Sequence, residues 1–245
     1  MINLIKSEIY KHIHRPYFYI ITLVVSCIIL WCEVSFSANM ISKVYVINVV
    51  CPIGIQLVLM LMVLFLIVFS EEYKFNSLKN LIASNVSKEK IYLGKLLAQI
   101  FIIIIVGAIV FGVFLGGLLL LEGGDGYTND MLISFCLKIV AMIPILLAGI
   151  ALCNVFMIGI RNEGIAIAIY IAFLLIGSYV VQFLSRTIWD KLIVINDYLF
   201  QNQTSIMSNL SATNNEIIHV ALVGIISFAI FTIIGGLLFK RVEAK

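Results

Sequence analysis

The sequence predicts an all-α integral membrane protein: six transmembrane helices in one domain over residues 1–245. An interfacial amphipathic helix precedes the first span, and a short cytoplasmic helix lies between spans two and three. Three observations carry this. Hydrophobic residues make up 62% of the 245-residue chain and charged residues 12%, with a mean hydropathy of +1.14, which excludes an ordinary soluble core. The apolar runs reach the roughly 20 residues needed to cross a bilayer core. Basic residues also divide unevenly between the loops. Lys6, Lys11, Arg15, Lys74, Lys79, Lys88, Lys90, Lys95, Arg161, Lys240, Arg241 and Lys245 fall on one side, and only Lys43, Lys138, Arg186 and Lys191 on the other. By the positive-inside rule, both termini and the central loop are cytoplasmic.

Residues 1–16 form the interfacial helix. Ile2, Ile5, Ile9 and Ile13 share one helical face, and Ser7, Lys11, His14 and Arg15 lie opposite, a pattern suited to lying on anionic headgroups. His12 and His14 are two apart, face different sides, and make a poor metal pair. Pro16 closes this helix and is tolerated at the start of the next. The first span, 17–36, has a long apolar core and no small-residue cleavage site, so it is not a signal peptide. Glu33 near its outer end is an ionisable residue in a span and therefore a pathway candidate; the alternative is a carboxylate reaching interfacial water. The second span, 49–70, has Pro52 in its first turn. The third, 97–121, places Ala108, Gly112 and Gly116 four residues apart, a small-residue stripe for close helix packing. The fourth, 132–158, holds Lys138, which can snorkel outward, and Pro144, which should kink it. If Glu33 and Lys138 meet, they form an ion pair in the outer leaflet. The short connector 159–163 demands a tight hairpin into the fifth span, 164–184, where Gly164, Ala168 and Ala172 form a second small stripe. Residues 185–216 are expected to dip into the membrane from outside, anchored by Trp189 and Tyr198. The sixth span, 217–239, ends at Lys240-Arg241.

Much chemistry is absent. No phosphate-cradling GxxxxGK[ST], HExxH or GxSxG pattern occurs, so the chain is not expected to be an enzyme, and no metal or other cofactor of its own is expected. Glu122–Asp130 resembles a calcium loop in composition only, lacking DxDxDG spacing. The five cysteines lie in or beside apolar runs without CxxC spacing and read as small fillers; a Cys32–Cys51 bridge is the alternative. The sequons at Asn202 and Asn209 are too short to weigh.

The stretch Glu71–Lys95 (EEYKFNSLKNLIASNVSKEKIYLGK), within the cytoplasmic segment 71–96, carries eight charged residues between two apolar runs. Phe75, Leu78, Leu81 and Ile82 give a short helix one apolar face, with Asn76 its cap; Ser87 caps a second helix carrying Lys88, Glu89, Lys90 and Lys95 into span three. Such a helix suits docking into a groove on another protein, and the alternative is a solvated loop. Together with the order of the spans, this stretch resembles the membrane subunit of a type-2 ATP-binding cassette exporter, in the branch of bacteriocin-immunity and bacitracin-type export permeases. Glu71, Glu72, Ser77, Leu78, Lys79, Leu81, Ser87, Lys88, Tyr92, Gly94 and Lys95 carry the likeness. Ser77 stands where Thr is more usual, and Val86 where Pro is often found.

The resemblance implies that this segment is the coupling helix and adjoining gate helix. Glu71, Glu72, Phe75, Ser77, Leu78, Lys79, Leu81, Ser87 and Lys88 would dock on a separate ATPase subunit, and ATP and Mg would be bound by that partner. It also implies a second permease subunit, the same or homologous, met through spans one and five. The substrate would be amphipathic or lipid-linked, antimicrobial peptides first, and the setting a bacterial cell membrane. Membrane lipid is an expected partner; nucleic acid is not. The alternative function is a gradient-driven carrier or channel, against which the spans lack a buried charged relay. An intramembrane enzyme would need a catalytic cluster that the sequence lacks.

Overall fold

The Pro-led start at Pro16, the charged ends and the long apolar runs shape a helical bundle. The computed structural model describes residues 2–47, 58–59, 87–124, 127–208 and 212–241, and no strand occurs among them. The helices are α1 (Ile2–Ile13), α2 (Pro16–Ala38), α3 (Lys43–Tyr45), α4 (Lys88–Leu118), α5 (Asn129–Ile160) and α6 (Glu163–Thr187). A 3-10 turn at Asp190–Leu192 leads to α7 (Ile193–Asn196), α8 (Phe200–Ser208) and α9 (Asn214–Arg241). Five of them, α2, α4, α5, α6 and α9, are long and apolar enough to cross a membrane. The span expected at 49–70 lies outside the described residues apart from Val58 and Leu59.

Local chemistry sets the helix ends. Pro16 occupies the first turn of α2, where its missing N–H removes no helical bond. The side chain of Thr128 accepts a hydrogen bond from the Met131 amide and starts α5. The α5–α6 hairpin turns on Arg161, which has a positive φ of 59°, and on Asn162, whose side chain accepts from the Ile165 amide at 3.2 Å. Thr213 and Glu216 begin α9 as a reciprocal capping box: the Glu216 carboxylate accepts from the Thr213 amide at 2.7 Å, and the Thr213 hydroxyl from the Glu216 amide at 3.4 Å.

α5 is the centre of the bundle. Half of its most apolar window is buried, against about a quarter or less for the other crossing helices, so their remaining apolar faces are left for lipid or another chain. α9 runs parallel to α5 and makes the most extensive contact. At their crossing, a Cβ on Gly224 would lie 2.7 Å from both the Ile145 amide nitrogen and Pro144 Cβ. Only glycine admits this approach. α6 packs on α5 and α4 on α9, and α1 and α2 pack on α4.

Contacts sort the helix ends into two groups. Lys88 reaches the last turn of α9, placing the start of α4 beside the end of α9; we call this the near end. At the far end Val46, Ile47, Leu118, Leu121 and Phe135 form a second apolar cluster. α8 packs among α5, α6 and α9, with the Phe200 ring edge-on to Phe231 at 6.2 Å and close to Phe173. Phe173 lies 14 residues before the end of α6, so α8 reaches about 20 Å along that helix from its far end.

Candidate functional site

The first two turns of α4 carry side-chain contacts to both α1 and α9. α4 has 31 residues and so is about 46 Å long, against a hydrocarbon core of about 30 Å. Its charged N-terminal turns therefore project beyond the bilayer core. Ser87 sits at the N-cap with extended backbone, although its side chain makes no capping bond. Behind it Ile91, Tyr92, Lys95 and Leu96 are each 2% exposed or less. The helix is gripped from two sides.

One side is α1. A Cβ on Gly94 would lie 2.6 Å from Leu4 Cδ2, so the absent side chain lets α1 sit against the α4 backbone. One turn on along α1, Glu8 Oε1 pairs with Lys95 Nζ at 3.2 Å, and His12 Nε2 stands 3.6 Å from Glu8 Oε2. All three side chains are buried. Burial alone would raise the Glu8 carboxyl, but the His12 contact and the Lys95 and Lys11 charges outweigh it and hold the group down to about 2. For His12 burial wins over Glu8, and its ring is pushed below the ordinary 6.5. At neutral pH the site is thus a Glu8–Lys95 charge pair beside a neutral imidazole.

The other side is α9. Tyr92 lies over Gly235, where a Cβ would come within 2.4 Å of its hydroxyl oxygen, and its ring is 6.0 Å from that of Phe239. Glu89 forms an ion pair with Lys240, and Lys88 Nζ donates to the Lys240 carbonyl at 3.0 Å. Cationic groups at a helix C-terminus bond its last carbonyls and offset its dipole. Further into the bundle Gln99 and Asn154 exchange amide hydrogen bonds of 3.1 and 2.7 Å between α4 and α5; both are fully buried.

The residues singled out from sequence are distributed as follows. Glu71, Glu72, Phe75, Ser77, Leu78, Lys79 and Leu81 lie outside the described residues; Ser87 and Lys88 begin the gripped helix. The structure does not bring Glu33 and Lys138 together. Both Glu33 oxygens are buried without a hydrogen-bond partner, while the carboxylate whose charge Lys138 feels is Glu216. Burial, not spacing, separates them: Glu33 turns into the α2–α4 contact, while Lys138, one turn beyond Phe135 on α5, faces the start of α9. Ala108, Gly112, Gly116, Gly164, Ala168 and Ala172 are all exposed, and Cβ atoms at Gly112 and Gly116 would meet open space. Cys32 is a free thiol, as are Cys27, Cys136 and Cys153.

Sequence reasoning missed Glu8, Gln99, Asn154, Gly117, Gly224 and Gly235. Glu8 and His12 at i,i+4 were the available signal for a polar stripe, and lone amides within apolar runs were the signal for Gln99 and Asn154.

Five apolar crossing helices and a near-end junction of charged and aromatic groups define a multi-pass membrane protein. The chain matches the ABC-2 family transporter protein family over residues 4–182, from α1 into α6, and therefore belongs to that family of ABC transporter permeases. No curated protein matches the chain.

Proposed function

We propose that this chain is the membrane subunit of an ATP-driven exporter in a bacterial cell membrane, with six spans and cytoplasmic termini. A separate ATPase chain, binding ATP and Mg, would dock on residues 71–88, and a second permease subunit would complete the pathway. The observation that carries this reading, beyond family membership, is the near-end junction. The helix entered directly from the charged 71–86 segment is locked to α1 through Glu8–Lys95 and to α9 through Tyr92 and Lys240. A push on that segment would reach the first and last described helices at once. A sixth crossing is supported by placement: Ile47 is in the far-end cluster, Ser87 is at the near end, and the Leu59 carbonyl accepts from Tyr170 at 3.1 Å between them. The exposed stripes at Ala108–Gly116 and Gly164–Ala172 support a second subunit. An amphipathic substrate, antimicrobial peptides first, follows from the branch that the sequence resembles.

The test is co-purification of an ATPase with the chain, repeated with Leu78→Asp. Apolar anchors carry most docking energy, so this change should detach the ATPase or uncouple hydrolysis from export while membrane levels stay normal. A Leu78→Asp protein that inserts, keeps its ATPase and still exports would refute the docking role.

A further inference from the structure

Glu33 is an anomaly that the exporter reading does not use. It lies in the last third of α2, is 2% exposed, and neither carboxyl oxygen has a hydrogen-bond partner. The carboxyl fills a notch in α4: a Cβ on Gly117 would fall 1.5 Å from Glu33 Oε2, so any residue but glycine would expel it. Nearby, Ser37 Oγ donates to the Leu120 carbonyl at 3.2 Å and ties α2 to the turn that follows α4.

Other charges at this end do not answer it. The facing turn of α4, Phe114 to Leu118, carries no titratable side chain, and α2 adds only the Cys32 thiol beside Glu33. On the surrounding segments stand Lys43, Tyr45, Glu122, Tyr127, Asp130, Cys136 and Lys138. Lys43 lies over the Tyr127 ring, and Lys138 lies within reach of the Glu216 charge. None of these groups forms an ion pair or hydrogen bond with Glu33.

An ionised carboxylate sealed between apolar helices without a donor is far costlier than the neutral acid, and no space for a larger cation exists where a Cβ would already collide. We propose that Glu33 is a proton-binding site whose protonated form allows α2 to close on α4 at the far end. Loss of the proton would place an unpaired charge in the Gly117 notch and drive the two helices apart there. Protonation would thus latch the far end shut, and the latch would weaken as pH rises.

The test does not depend on export or on an ATPase. Reconstituted protein is treated with dicyclohexylcarbodiimide, which attacks protonated carboxyls, and labelled peptides are quantified by mass spectrometry. An ordinary carboxyl in water is protonated to only about one part in five hundred at about pH 7, so Glu33 should label at least about tenfold faster there than the exposed Glu122 and lose that label at higher pH. Gly117→Ala should push the carboxyl out and lower its labelling toward that of Glu122. Oxidation of a Glu33→Cys/Gly117→Cys pair, in a background without other cysteines, should cross-link α2 to α4. Labelling of Glu33 no faster than Glu122, labelling indifferent to Gly117→Ala, or absence of the cross-link would each overturn the proposal.

Discussion

The Glu8–Lys95 pair makes a prediction whose size can be worked out. Glu8 is held from 4.5 down to about 2, a difference of about 2.5 pH units, and each unit is about 1.4 kcal/mol. The folded state therefore favours ionised Glu8 by about 3 kcal/mol. Removing one partner of a buried pair costs about 3–5 kcal/mol, because the other charge is left unpaired. Glu8→Gln keeps the volume but abandons the Lys95 ammonium, so it should cost about 3 kcal/mol, or roughly 6–12 °C in midpoint for a chain of this size. Lys95→Met should cost a similar amount. The double variant should recover much of the loss, since a neutral pair leaves no buried charge.

Because the folded value of Glu8 is depressed, its contribution is fully present above about pH 4.5 and is lost as pH falls towards about 2. Thermal unfolding of the purified protein in detergent, across that window, is the assay. Wild type should lose this increment on acidification, and Glu8→Gln should not. Additive single-variant losses, or parallel pH curves for the two proteins, would refute the view that Glu8 and Lys95 act as one unit joining α1 to α4.

Two further outcomes can be checked with the same preparations. Gln99→Leu should cost on the order of 1–2 kcal/mol by stranding the Asn154 amide, with much of it regained on adding Asn154→Leu, as read from unfolding midpoints. Ala168→Leu, on a stripe exposed in the single chain, should leave monomer stability within about 0.5 kcal/mol but weaken self-association; an unchanged oligomer on cross-linking would remove α6 from the subunit interface.

How much of this was legible in the sequence depends on whether the bilayer or the neighbouring chain makes the rule. Five long apolar helices among the described residues were legible because a membrane core demands about 20 apolar residues and satisfied backbone groups wherever a chain crosses it. The turn at Arg161–Asn162 was legible because five residues leave room only for a hairpin. Side-chain partners were not. The α1 pattern showed an Ile face and a polar face, but periodicity does not say which face meets protein. Here the face that meets α4 carries Leu4 with the buried Glu8 and His12, and Leu4, Ile5, Ile9 and Ile13 are all half-buried. A membrane protein can turn apolar faces outward to lipid and polar ones inward, the reverse of a soluble core.

The glycines show the same division. Spacing singled out Gly112, Gly116 and Gly164, which are exposed, whereas the close approaches within the chain occur at Gly94, Gly117, Gly224 and Gly235. A four-residue repeat marks a groove on a helix, but only the crossing of two particular helices decides which groove is filled. By itself the sequence determined a helical, multi-pass permease of recognisable family, because hydropathy, charge asymmetry and the Glu71–Lys95 motif are properties of the chain read in order. The tertiary structure alone decided that Lys95 answers Glu8, that Glu33 answers no charge, and that α4 is locked to both α1 and α9. Those pairings join residues from distant parts of the chain, and helix packing, not spacing along the chain, brings them within bonding distance.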